Sequence, residues 1–197
     1  TNVKATVTAA ISTMVASGNT VVPEGLAWGW RAISPTEPFT EGVDYNHADS
    51  NGVLDTTKAI ILMTDGANDV SSGSNSPVYG IYSAFGQKYI CNNSDCSSKT
   101  LSPHLGSNPE SSLNTKLATL CNNIKAIKKS DGHDAIIIYT ILFQQSNTTI
   151  KNLMQNCATQ GSECPNDSCF FNSPSNEDLK LAFEEIAAGL NNLRVSK

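Results

Sequence analysis

Asp65 closes the run Ala59-Ile60-Ile61-Leu62-Met63-Thr64 and is followed at once by Gly66. A short, continuous, partly β-branched apolar run that ends in Thr-Asp-Gly has the pattern of a strand buried on both faces. In an open α/β sheet, ligands sit off the carboxyl ends of the strands, and a glycine there lets the chain turn sharply, so Asp65 is the leading site candidate. Thr20, in the turn Gly18-Asn19-Thr20 ahead of Pro23, offers a hydroxyl to the same rim. A carboxylate and a hydroxyl are the hard oxygen donors that a divalent cation takes. The plainer alternative has Asp65 capping its own turn and Thr20 capping the helix that opens at Pro23. The two residues alone do not decide between these readings.

Six cysteines, an even number, stand partly in Ser/Asn-rich stretches, which favours disulfides and an oxidising compartment, periplasmic or extracellular. Cys91 with Cys96 and Cys164 with Cys169 are expected as short loop staples. That leaves Cys121 and Cys157 on two helices flanking the strand at 135–143, either bridged to each other or simply buried as small apolar side chains. Neither a CxxC pair nor a Cys/His quartet occurs, so the spacing does not support zinc. His47, His104 and His133 lie in separate polar connections, none beside a Ser or Cys in a nucleophile motif, and they read as solvated. No catalytic constellation emerges.

The elements that position these residues follow from periodicity. Val3, Val7, Ile11, Met14 and Val15 share one helical face over residues 3–15, with Gly18 placed as a left-handed C-terminal cap. A second helix opens at Pro23, carries Leu26, Trp30 and Ile33 inward, and ends near Ser34-Pro35. Trp28 and Trp30 point to opposite faces of it, one toward the core and the other under the long loop. Residues 35–57 form a connection rich in Pro, Gly, Asp and Asn. After the strand at 59–63 comes a segment of about 45 residues without a sustained period, too long for an ordinary connection, so 66–112 is read as a loop insertion. Next is a helix with Leu113, Leu117, Leu120, Ile124 and Ile127 inward, followed by the apolar strand 135–143. Then come a helix with Ile150, Leu153, Met154 and Cys157 inward, a short strand at Cys169-Phe170-Phe171, and a last helix. That helix opens on a Ser175/Asp178 capping box and carries the stripe Leu179, Phe183, Ile186, Leu190 and Leu193. Alternating strands and helices define an α/β open, mostly parallel sheet with flanking helices.

The 197 residues carry a formal charge of −5, and the 13 Lys and Arg are spread along the chain, which argues against nucleic acid as a partner. No run of 18 apolar residues and no charged-then-apolar leader is present, so export and membrane anchoring are expected to reside upstream. The sequence enters a helix directly from Thr1 and is read as a fragment of a single domain, 1–197, incomplete at its N-terminus.

Gly18-Asn19-Thr20 with Gly25-Leu26, followed by Ile60-Ile61-Leu62-Met63-Thr64-Asp65-Gly66, resembles the second and third metal-site loops of von Willebrand factor A domains. More narrowly, the chain resembles TadG-type proteins of the Tad/Flp pilus system almost throughout. The likeness rests on Gly25-Leu26-Ala27-Trp28-Gly29-Trp30-Arg31 leading to Ser34-Pro35, Thr64-Asp65-Gly66-Ala67-Asn68, Tyr82-Ser83-Ala84-Phe85-Gly86, Cys121-Asn122-Asn123-Ile124-Lys125, Tyr139-Thr140-Ile141 and Leu193-Arg194-Val195. The resemblance implies a Rossmann-like, A-type fold whose first strands precede residue 1. It further implies a non-enzymatic cell-envelope module, tethered to the membrane in the full-length protein, that acts in pilus assembly or adhesion by binding protein partners of the pilus or cell surface.

In such domains a Thr and an Asp help hold Mg²⁺, so Thr20 and Asp65 become the metal candidates. The first metal loop, Asp-x-Ser-x-Ser, is absent from these residues. Mg²⁺ is therefore expected in the complete protein and no tight binding in this chain. The expected partner surface is the rim and its insertion: Asn68, Asp69, Tyr79, Tyr82, Phe85 and Tyr89. The rival reading is a metal-dependent hydrolase of phosphate or ester substrates using Asp65 and Asp69 as ligands. With the upstream strands absent, the strand at 59–63 should expose an apolar edge, and the chain should self-associate.

Overall fold

The computed structural model describes residues 3–15, 19–69, 82–83, 85–87, 89–92, 98–101, 105 and 108–195. In chain order the helices are α1 (Lys4–Ser12), α2 (Val22–Ile33), α3 (Pro109–Lys125), α4 (Thr148–Cys157) and α5 (Asn176–Val195). The strands are β1 (Lys58–Thr64), β2 (Tyr82–Ser83), β3 (Gly86–Gln87), β4 (Tyr89–Cys91), β5 (Lys99–Leu101), β6 (Ile136–Phe143) and β7 (Phe170–Ser173). The protein is mixed α/β, with an open three-stranded parallel sheet flanked by helices.

Sheet order is β1-β6-β7, with Ile60 opposite Ile138 and Thr140 opposite Phe170. Strand β6 is central, and its uninterrupted apolar sequence suits burial on both faces. On one face Ile136, Ile138 and Leu142 meet Leu26 of α2, Leu117 and Ile124 of α3, and Ile150 and Met154 of α4. On the other, Ile137, Tyr139 and Ile141 lie under Ala182 and Ile186 of α5. The disulfide Cys121–Cys157 ties α3 to α4 over the first face, and Cys164–Cys169 closes the turn before β7. Of the six cysteines, Cys96 and the side chain of Cys91 lie outside the described residues.

Several elements depart from expectation. Helix α1 forms, but it buries none of its residues, so its apolar stripe has no floor beneath it. Its expected cap, Gly18, lies outside the described residues. Strand β1 buries Ile60 and Leu62 against the helices and leaves Ile61 and Met63 exposed on the other face. In α5 the inward line runs through Ala182 and Ile186, and Phe183 faces solvent; the side chain of Leu193 is outside the described residues. A three-and-four spacing fits two adjacent stripes, and the close approach of α5 to the sheet falls at Gly189, where a methyl would stand 3.3 Å from the Tyr139 hydroxyl.

The 66–112 segment is not one loop. Strands β2 and β3 form one antiparallel pair, and β4 and β5 another. It gives way to helix earlier than 112, because Asn108 accepts the amide of Ser111 at 3.1 Å and Pro109 opens α3. Trp30 packs on the core, whereas Trp28 meets Phe39 of the 34–57 connection, edge to face at 6.2 Å, and the Arg31 guanidinium. That connection is held to α2 by Lys58, whose ammonium donates to the carbonyls of Ile33 and Val43 over the Tyr45 ring. Burial holds this lysine below its ordinary pKa, against the opposing pull of Asp44.

Candidate functional site

The carboxyl end of β1 gathers residues from four parts of the chain. Thr64 Oγ1 accepts the Gly66 amide at 3.2 Å and donates to the Gly66 carbonyl at 2.9 Å, folding the chain back after the strand. Thr20 lies against Gly66, at a distance where even a methyl there would be in ordinary contact, 3.5 Å from Thr20 Oγ1. The Asp69 amide donates to the Thr20 carbonyl at 2.8 Å, so the two stretches lie side by side. Gln145, in the turn after β6, donates its side-chain amide to the Asp65 carbonyl at 3.3 Å and accepts the Asn147 amide at 2.9 Å. Asn147 in turn caps α4, accepting the amides of Thr149 and Ile150.

Of the residues expected at this rim, Thr20 is brought against Gly66, the residue after Asp65, and against the Asp69 amide. Thr20 is half-buried, and the Asp65 carboxylate is exposed, with no hydrogen-bond or ion-pair partner among the described residues. Asp69 is half-buried beside them. Asn68 is turned inward and only 2% exposed; its Oδ1 accepts the Val22 amide at 2.9 Å, and its Nδ2 donates to Asn114 Oδ1 at 2.8 Å. A partner approaching the rim meets Asp65 and Asp69, with Asn68 beneath.

Phe85 is also half-buried, packed with Val21, Leu105 and Leu113 while the Lys116 ammonium sits 5.0 Å from its ring centre. It fastens the insertion to α3. Tyr79 and the side chains of Tyr82 and Tyr89 lie outside the described residues. His47 pairs with Asp55 at 2.6 Å and His133 with Glu163 at 3.3 Å, both on the surface; His104 is outside the described residues.

The rim continues beyond Asp65 as an open cleft of about 610 Å³ off the ends of β6 and β7, lined by Gln144, Gln145, Ser146, Lys151, Asn172 and Pro174. This cleft is the feature that sequence reasoning missed. The strand-end rule pointed to the place, but polar residues at exposed turns carry no pattern of their own.

Thr20 and Asp65 are oxygen donors suited in kind to Mg²⁺, but two donors are few, since Mg²⁺ demands near-octahedral oxygen coordination and its waters fill only what the protein leaves. Among the described residues no three His, Cys, Asp or Glu side chains cluster as metal ligands. The donor set does not make a tight metal site by itself.

The fold and rim define an α/β protein with an open parallel sheet and a polar surface carrying Asp65 and Asp69 at its strand ends. The disulfides indicate an oxidising, non-cytoplasmic compartment. No helix among the described residues is long and apolar enough to cross a membrane. No family model, curated protein or solved structure matches the chain.

Proposed function

We propose that this chain is a von Willebrand factor A-like module of a TadG-type pilus-assembly protein. In this reading it is a non-enzymatic component of the cell envelope that binds protein partners through the rim at the carboxyl end of β1. The observation that carries the reading is the approach of Thr20 to Gly66 beside Asp65, whose exposed carboxylate has no partner among the described residues. The resemblance assigns Thr20 and Asp65 to one site although they stand 45 positions apart in sequence. The parallel sheet and the disulfides agree with such a module on the outer side of a membrane.

The neighbouring cleft supports a polypeptide ligand. The amides of Gln144 and Asn172 each offer both a donor and an acceptor, the pairing that a peptide main chain needs, and Lys151 adds one cation for an acidic side chain. Among the described residues no three His, Cys, Asp or Glu side chains cluster at the rim, which gives a metal-dependent hydrolase reading little support. In cells that produce the protein, Asp65→Ala should leave its amount and export unchanged and reduce surface pili or adhesion. Unchanged pili at an unchanged protein level would count against the reading, and a lost phosphatase or esterase activity would favour the hydrolase instead.

A further inference from the structure

Strand β7 is a sheet edge among the described residues, and that edge ends at the cleft. The Thr140 amide donates to the Cys169 carbonyl at 2.9 Å, and the Gln144 amide to the Ser173 carbonyl at 3.0 Å. In a parallel ladder alternate residues turn their main chain toward the neighbouring strand. Cys169, Phe171 and Ser173 therefore face β6, and Phe170 and Asn172 face away from the sheet. The Phe170 amide is taken by Ser168 Oγ at 3.3 Å. The Phe170 carbonyl and both main-chain groups of Asn172 have no hydrogen-bond partner among the described residues. Such an edge is a template for another extended chain.

The strands expected upstream of residue 1 belong beside β1, and β6 lies between β1 and β7, so they do not compete for this edge. What does suit it is set by charge. Lys151 is the one charged residue that lines the cleft; it is exposed, and its ammonium has no partner among the described residues. A lone cation in a chain of formal charge −5 selects an anion. A peptide laid along β7 in the direction of the sheet's own strands reaches the cleft with its C-terminus. One laid the other way brings its N-terminal end toward Lys151.

We propose that the β7 edge takes up the C-terminal residues of a partner polypeptide as an added parallel strand, whose terminal carboxylate meets Lys151 in the cleft. One residue of that strand donates its amide to the Phe170 carbonyl and accepts the Asn172 amide with its own carbonyl. The residue two further on donates to the Asn172 carbonyl. Pro174 has no amide to offer this residue, so if the chain ends there its carboxylate is left to Lys151, as a charge-assisted hydrogen bond. The proposal rests on the reading of the cleft as a polypeptide site and names which part of the polypeptide enters it.

Amide NMR of the isotope-labelled chain, titrated with the peptide acetyl-Thr-Val-Thr-Val at millimolar concentration, tests it. The free-acid peptide should shift the Asn172 amide, and the same peptide as its C-terminal amide should bind about tenfold more weakly. Lys151→Gln, at an exposed position, should erase that difference. Asn172→Pro removes the edge amide without removing a bond to β6 and should abolish binding of both peptides; if this variant does not fold, Lys151→Gln decides alone. No shift at Asn172, equal affinity for acid and amide, or an acid preference that survives Lys151→Gln would overturn the proposal. Such a result together with pili lost on Asp65→Ala would leave the rim reading standing. Acid-selective binding at Asn172 with pili intact in Asp65→Ala would support the added strand and count against the role of Asp65.

Discussion

Asn68 Oδ1 lies 2.9 Å from the amide nitrogen of Val22, a buried hydrogen bond that joins the turn after β1 to the first residue of α2. It holds Thr20 against Gly66, because Thr20 and Val22 enter the site on one short stretch and Asn68 leaves it on another. Asn68→Ala strands the Val22 amide in a dry place and should cost about 1–3 kcal/mol of stability. Asp65→Ala, at an exposed position three residues away, should stay within about 0.5 kcal/mol of wild type. Urea unfolding of both variants checks this; equal effects would mean that the rim is not built on Asn68.

The two disulfides should differ in weight. Cys121–Cys157 spans 36 positions and Cys164–Cys169 only 5. A cross-link stabilises chiefly by restricting the unfolded chain, more so for longer loops, so replacing the first pair by Ala should cost about 3–4.7 kcal/mol and the second about 2. All four sites are buried, so alanine keeps their apolar character. Thermal unfolding of the two double variants gives the order directly, and a reversed order would contradict it.

Strong acid should loosen the turn at 44–55. The Asp49 carboxylate accepts the amides of Val53 at 2.9 Å and Asn51 at 2.8 Å, which lowers its pKa below 3.8, and the hydrogen bond from His47 does the same for Asp55. A carboxyl whose folded pKa is lowered contributes stability that is fully present above its unfolded value and is lost as pH falls through the folded one. Amide exchange at Asn51 and Val53 should therefore accelerate only below pH 3.8, and Asp49→Asn should remove much of that pH dependence. Titration of Asp49 at or above 3.8, followed by carboxyl NMR, would contradict the account.

Mg²⁺ should bind this chain only weakly, because Thr20 and Asp65 are two donors where the ion wants a full oxygen shell. Calorimetric titration is expected to show no saturation below about millimolar Mg²⁺, the weak end of protein cation sites. Micromolar binding abolished by Asp65→Ala would mean that further ligands complete the site.

The parts of this fold legible in sequence are those where period and chemistry agree. The runs Ala59–Met63 and Ala135–Phe143 are unbroken apolar segments closed by turn residues, and both became parallel strands. Ser175 and Asp178 formed the expected box, with Asp178 accepting from the Ser175 amide and hydroxyl. What period does not encode is which side of an element finds a neighbour. Val7 and Ile11 look as inward-facing as Leu117 and Ile124, and Phe183 looks as buried as Ile186, since exposure depends on elements distant in sequence. At the rim, Asp65 was legible because a strand end and a glycine mark it. Asn68 was read as a contact residue because the sequence cannot show that Val22 and Asn114 consume its amide. Gln145 gave no signal at all, its part being fixed only when β6 lies down beside β1.

The central claim is that this rim is where a protein partner docks, and site-specific photocrosslinking in the producing cells tests it most directly. A photoreactive residue at Ser146, on the cleft beside Asp65, is compared with one at Asp131, in the turn before β6 at the opposite end of the sheet. The account predicts a discrete adduct with an envelope or pilus protein from position 146, absent from position 131 and weakened by Asp65→Ala. Adducts from 131 and none from 146 would contradict it, and would move the docking surface to the other end of the molecule.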